Sequence, residues 1–234
     1  MSIFAIIDYR AKKEAIVCLY KFFDKVVLTS PLNVQQAIDG HADISVCKIA
    51  DNEIVVCPSL YNYYKSELPE INIFKGSSEP DYKYPNDVIY NAACSGSVAI
   101  HNFEFTDKTT LAVIKQKFSK HINVHQGYSK CSICFVKNNG LITDDEGIYK
   151  EVKNHEIDAL KITKGDVKLH GMNYGFFGGA TGCFENKLFL NGEVKYHKDK
   201  NKIVDYLNKH NVELIEIKKG PIEDIGSIIC LSKK

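Results

Sequence analysis

The stretch Lys219-Gly220-Pro221-Ile222-Glu223-Asp224-Ile225-Gly226-Ser227-Ile228-Ile229-Cys230-Leu231-Ser232 decides the fold. A Gly-Pro turn signal opens it, and it ends in a run of apolar and β-branched residues, the composition of a buried strand. No helix or hairpin partner follows, so this strand has to pair with an earlier segment. The opening run Ile3-Phe4-Ala5-Ile6-Ile7 is the nearest unpaired candidate. The expectation is that the two ends of the chain meet and close a ring, with Cys230 in the closing strand.

Between those ends the chain repeats. Four segments run a β-branched strand into glycine: Ile71 to Gly76, Ile122 to Gly127, Leu160 to Gly165 and Leu214 to Gly220. Their spacing of about 40 to 55 residues is that of a supersecondary repeat. A helical pattern precedes each, at residues 60–68, 109–120, 146–154 and 200–210. In the second, Leu111, Ile114 and Phe118 share a face and Thr106 or Asp107 is placed to cap it; in the fourth, Ile203, Val204 and Leu207 share a face. Before each helix come two short strands joined at Asp51-Asn52, Ser95-Gly96, Asn138-Asn139-Gly140 or Glu185-Asn186. The pairs are residues 44–49 with 54–57, 88–93 with 98–101, 131–136 with 141–143, and 181–184 with 187–190.

The unit is therefore strand, strand, helix, strand, and the tail supplies a fifth. Residues 226–232 give its first strand, 3–7 its second, 11–23 its helix with Ile16, Leu19, Tyr20 and Phe23 apolar, and 26–28 its last. The predicted fold is α/β: a five-module ββαβ propeller forming one domain over residues 1–234, its ring closed by the N- and C-terminal strands. First strands face the axis and helices lie outside. Two inter-unit loops are long: residues 77–86, polar with two prolines, and residues 166–182, rich in glycine. Loops of that length either carry ligands or are surface excursions.

Composition bounds the function. The 234 residues are 44% hydrophobic and 25% charged with a formal charge of +1, as expected of an ordinary globular chain. No basic block supports a nucleic-acid partner, and no apolar run approaches a membrane span. With no charged and apolar leader read at the start, the expected location is cytoplasmic. Most of the eight cysteines sit in apolar runs, as buried reduced thiols do. Cys131-Ser132-Ile133-Cys134 has CxxC spacing but reads as strand, and no second pair follows at zinc-finger spacing, so no metal is expected. Phe176-Phe177-Gly178-Gly179-Ala180-Thr181-Gly182 matches neither the dinucleotide fingerprint nor the P-loop, and no cofactor is expected. Gly178 and Gly179 let backbone come close to a ligand.

The five-unit pattern, together with Gly226-Ser227-Ile228-Ile229-Cys230-Leu231-Ser232, resembles the pentein superfamily. Those guanidino-group-modifying enzymes include dimethylarginine dimethylaminohydrolase, arginine and agmatine deiminases and amidinotransferases. There the last unit's first strand carries a nucleophilic cysteine in such a context. The resemblance implies a divergent hydrolase or transferase acting on a guanidine or amidine C–N bond of a small-molecule substrate, with Cys230 as nucleophile. It also implies Asp87, in Pro85-Asn86-Asp87-Val88, as the substrate-holding carboxylate, with Asn86 beside it. The family's third unit opens with a histidine, whereas Gly127-Tyr128-Ser129-Lys130 has none. His41 or His125 then supplies the acid/base group, Asp43 a second carboxylate, and Lys130 a partner for a substrate's acid group. Such a fold makes chemical sense: a guanidinium carbon is a poor electrophile, so carboxylates must hold it, a thiolate attack it and an acid protonate the departing amine. The alternative is a non-catalytic pentein-fold binding protein that has lost the catalytic histidine.

Overall fold

A computed structural model describes residues 2–137 and 140–233. Within them fifteen strands form five three-stranded sheets. The chain enters at β1 (Ile3–Ile7), α1 (Lys13–Leu19) and β2 (Lys25–Leu28). The first complete unit is α2 (Ala42–Ser45), β3 (Val46–Ala50), β4 (Glu53–Val56), α3 (Tyr61–Glu67) and β5 (Asn72–Lys75). The second is β6 (Ala93–Ser95), β7 (Val98–His101), α4 (Lys108–Lys117) and β8 (Lys120–Asn123). The third is α5 (Ser129–Ser132), β9 (Ile133–Val136), β10 (Gly140–Thr143), α6 (Glu146–Asn154) and β11 (Asp158–Lys161). The fourth is β12 (Thr181–Phe184), β13 (Lys187–Leu190), α7 (Lys200–Lys209) and β14 (Glu213–Glu216), and β15 (Ile229–Ser232) ends the chain.

Every sheet repeats one order: the first strand antiparallel to the second, the second parallel to the third across a helix. The fifth sheet is assembled from both ends. β15 pairs β1 with Ala5 opposite Cys230 and Phe4 opposite Leu231, and Lys233 N donates to Ser2 O at 2.9 Å. Ring closure by the termini is thus realised, in register with the second-to-third pairing of β1 and β2. All five first strands contribute to the wall of one central cavity: β3 through Lys48, β6 through Cys94, β9 through Phe135, β12 through Cys183 and β15 through Cys230.

The helices bury narrow faces, as their short amphipathic patterns require. α7 buries Ile203, Tyr206 and Leu207, and α6 buries Ile148 and Val152. Asp107 caps α4 by accepting from Thr110 N, and the pattern-bearing Leu111 is only half-buried while Val113 and Ile114 are buried. α1 is shorter than the predicted 11–23. Its last amides turn to i−3 carbonyls, Lys21 N to Cys18 O and Phe22 N to Leu19 O, so the final turn tightens. Its buried stripe is Ala15, Leu19 and Phe23, and Tyr20 is exposed.

The larger correction concerns where the first strands begin. Residues 44 and 45 are helical and belong to α2, residues 131 and 132 to α5, and residues 88–91 form a turn in which Asn91 N donates to Val88 O. In the last unit, Gly226 and Ser227 have φ of 66° and 71°, outside a strand. Each first strand is therefore entered through a tight buried turn. An apolar run cannot separate a buried helical turn from a buried strand, and the period of two takes hold only after it. At the turn read as Asn138-Asn139-Gly140, the first two residues lie outside the described residues; Gly140 begins β10.

Candidate functional site

Those five turns converge, one from each unit. α2 brings Asp43, fully buried, to the centre. Asp43 Oδ2 accepts from Ser227 Oγ at 2.5 Å and from Cys131 Sγ at 3.2 Å. Ser227 Oγ in turn accepts from Lys130 Nζ at 2.9 Å. Asn91 ties three units together: its Nδ2 donates to Asp43 O at 3.0 Å and lies 3.2 Å from Cys131 Sγ, while its Oδ1 accepts from Lys130 N at 2.8 Å and Cys131 N at 3.2 Å. The fourth unit contributes the glycine turn 178–180, packed so closely that a Cβ on Gly178 would run into the carbonyls of Cys131 and Ile133. Glycine is required there by the approach of backbone to backbone.

Beside this knot stands a second buried pair. Asp224 accepts from Phe176 N and from Gly226 N, both at 2.9 Å. His41 Nδ1 lies 3.9 Å from Asp224 Oδ1, within electrostatic reach and too far for a hydrogen bond. A side chain on Gly179 would collide with the Asp224 carboxylate and one on Gly226 with His41, so both glycines make room for the pair. Two atoms here, His41 Nε2 and Asp43 Oδ1, are buried with no hydrogen-bond partner among the described residues. Burial raises the Asp224 carboxyl above the usual range, with Asp43 adding to the effect and His41 opposing it. Burial, then the Asp43 and Asp224 charges, push the Cys131 thiol well up.

His41, Cys131 and Asp224 line a pocket of about 290 Å3 whose other walls are largely apolar and aromatic, including Ile44, Tyr128 and Phe176. Tyr128 and Phe176 stack with centroids 6.1 Å apart. The long loop at residues 166–182 supplies Leu169, Met172, Asn173, Tyr174 and Phe176 to this pocket, so it is a wall of the site.

The residues singled out in the sequence divide. His41, Asp43, Lys130, Gly178 and Gly179 are gathered at the centre. Asp87 is one step removed: buried, its carboxyl raised by burial, it accepts from Tyr128 Oη at 2.5 Å and reaches the pocket only through that ring. Asn86 is exposed. His125 is exposed as well, and among the described residues only its carbonyl is engaged, by Asn102 Nδ2 at 3.4 Å. Cys230 is buried in β15, its sulfur 3.7 Å from Ile228 O, and burial pushes its thiol up to about 12. It faces the central cavity and is bonded to neither a histidine nor a carboxylate among the described residues. Cys131, Asp224, Ser227 and Asn91 escaped sequence reading. Only Cys131 carried a signal, as the first cysteine of the CxxC, and reading that stretch as strand concealed it. Among the described residues no group of three or more histidine, cysteine or acidic side chains is arranged to hold a metal ion. No described helix is long and apolar enough to cross a membrane.

Comparison with solved structures places this architecture. A mutant of the DDAH from Pseudomonas aeruginosa complexed with citrulline aligns over 97% of this chain and 93% of its own, at 6% identity and a TM-score of 0.58. The agmatine deiminase of C. jejuni aligns over 92% and 87%, at 10% identity and a TM-score of 0.56. In AgrE, in its ternary complex with ornithine and NAD+, 97% of this chain aligns with 38% of that one, at 9% identity and a TM-score of 0.57. The fold they share with this protein is the pentein propeller, here in divergent form. No curated protein matches the sequence. Residues 6–229 match the family described as Family of unknown function (DUF6873), and the chain belongs to that family.

Proposed function

We propose that the pocket of His41, Cys131 and Asp224 binds a small organic cation of the guanidinium or amidinium type, and that the protein hydrolyses or transfers at its C–N bond. The observation that carries this reading is the pair of orphaned buried atoms, Asp43 Oδ1 and His41 Nε2, beside a second buried carboxylate. Buried polar groups are normally partnered. A planar cation with several N–H donors answers Asp43 and Asp224 together, and aromatic walls suit its faces. The structural neighbours named for amidino chemistry agree with the assignment at the level of fold.

The chemistry would run through Cys131. Its thiol already donates to Asp43, so a proton acceptor is in place as sulfur attacks the amidino carbon. A cation seated between the carboxylates offsets the charges that now hold the thiol protonated, so the ligand itself promotes the thiolate. An S–C bond forms, the C–N bond breaks, and His41 acts as the general acid that gives a proton to the departing amine. Water, or an acceptor amine, then attacks the amidino carbon and loses a proton to His41, the C–S bond breaks, and Asp43 returns its proton to the sulfur. A second reading, binding without turnover, is favoured by the raised pKa of both candidate thiols, Cys131 and Cys230.

Chloroacetamidine, an amidinium-bearing alkylating agent, tests the reading when followed by peptide mapping. The expected result is modification at Cys131, slowed by agmatine and abolished by Cys131→Ser. Asp43→Asn should weaken agmatine binding by roughly tenfold to a hundredfold, the worth of a charge-assisted hydrogen bond. Labelling at Cys230 alone would return the nucleophile to the closing strand. Agmatine binding without labelling or turnover would leave the binding reading, and no binding would remove both.

A further inference from the structure

The central cavity, about 430 Å3, shares no lining residue with the His41 pocket and has the opposite chemistry. Three ammonium groups line it, from Lys48, Lys130 and Lys137, against two carboxylates, Asp51 and Glu185. Asp51 is already answered by Lys48 at 2.9 Å. Glu185 is exposed in its hairpin turn. Among the described residues the Lys130 ammonium donates to the Ser227 hydroxyl, which itself donates to Asp43, and the Lys137 ammonium has no hydrogen-bond or ion-pair partner. The two lie at opposite ends of β9, Lys130 in the turn that enters it and Lys137 just beyond its last residue. The rest of the wall is neutral: thiols of Cys94, Cys183 and Cys230, the hydroxyl residues Ser95, Thr181 and Ser232, and apolar strand residues.

Half-buried ammonium groups with no direct ion-pair partner are costly, and an anion in the same low-dielectric cavity reduces that cost. Asp51 and Glu185 sit in the hairpin turns and mark the mouth; the Lys130 end is closed by the knot of pre-strand turns. Lys137, near that mouth, is placed to draw an anion inward, and Lys130 to seat it.

We propose that the axial cavity is a second binding site, for a small molecule bearing an oxyanion, a carboxylate or a phosphate, seated on Lys130 and drawn in past Lys137. Its lining residues are separate from those of the cation pocket, the two sites select ligands of opposite charge, and the link between them is the relay from Lys130 through Ser227 to Asp43.

Cys183 reports occupancy, because it lines the cavity and is partly exposed, whereas Cys18, on α1 and also partly exposed, lies outside it. With a neutral reagent, iodoacetamide, and ionic strength held constant with sodium chloride, inorganic phosphate or succinate should slow alkylation of Cys183. The factor expected is 1 + [L]/Kd, with Cys18 unaffected. Lys130→Gln and Lys137→Gln should each reduce the protection severalfold, and agmatine should give none. Should Lys130→Gln fold poorly, Lys137→Gln carries the comparison alone. The proposal is overturned if neither anion slows Cys183, if Cys18 slows equally, or if protection survives unchanged in Lys137→Gln. Because the readout is Cys183 and the ligands are anions, failure here leaves the cation pocket untouched, and the reverse holds.

Discussion

Asp144 follows β10 directly and is almost completely buried, with Oδ1 unpartnered among the described residues. Burial raises its carboxyl to about 6, a shift that Lys164 only partly opposes. The sign of the linkage follows. A carboxyl whose folded pKa lies above its unfolded value prefers to stay protonated in the fold, so its favourable contribution is complete below about 4 and is lost as the pH rises through about 6. At neutral pH the folded state then carries a charge-burial cost of roughly 3 kcal/mol. Asp144→Asn, a permanently uncharged isostere, should be more stable than the parent by up to about 3 kcal/mol at pH 7, with the gap closing near pH 4. Urea denaturation at the two pH values measures it, and a gap of equal size at both would contradict the assignment. The same logic of burial separates what could and could not be read at the site. His41 and Asp43 stand out in a sequence because a histidine and an aspartate two residues apart at the start of a repeat unit are chemically conspicuous. Asp224 and Ser227 do not, since their importance comes from a loop whose positive φ at Gly226 and Ser227 swings them to the centre while Cys230 stays inside the strand.

At the scale of elements, the strand–strand–helix–strand unit was legible because hydrophobic periodicity and turn residues recur four times. The pre-strand turns were not, because a single buried helical turn is too short to show a period of 3.6. They are nevertheless the elements that carry Asp43, Asn91, Cys131 and Ser227. The capping of α4 was readable from Asp107, yet its further duty was not: Asp107 Oδ1 also accepts from Ser77 N at 2.9 Å and from Ser77 Oγ at 2.5 Å, tying down the loop at residues 77–86. Loss of a capping side chain alone costs about 1 kcal/mol. Asp107→Ala should therefore cost roughly 2 kcal/mol or more, since buried hydrogen-bond donors lose their acceptor as well. Limited proteolysis should also show faster cleavage within residues 77–86. A loss near 1 kcal/mol with unchanged cleavage would mean that the tether adds nothing to the cap.

For the whole molecule, the closing strand is a small fraction of the chain and a large fraction of its stability. Ile228, Ile229 and Leu231 are almost fully buried, the latter two packed into a core cluster with β1, β3 and β4 residues. Burying three such side chains contributes on the order of 5 to 9 kcal/mol, comparable with the whole net stability of a typical domain. The tail could be recognised as a strand from its composition, but its partner was deduced from the repeat: four units with three strands each leave two strands at the start of the chain and one at its end without a complete sheet. If closure is what stabilises the ring, covalent order matters less than the presence of all five sheets. A chain ending at Gly226, lacking β15, should show no cooperative thermal transition. A circular permutant, with residue 233 linked to residue 2 through a short Gly-Ser bridge and the chain opened in the exposed Glu185-Asn186 turn, should keep a single cooperative transition. The two variants separate topology from composition: cooperative melting of the truncated chain would show that the ring stands without its closing strand, and loss of cooperativity in the permutant would show that the native β12–β13 hairpin, rather than the meeting of the termini, holds it together.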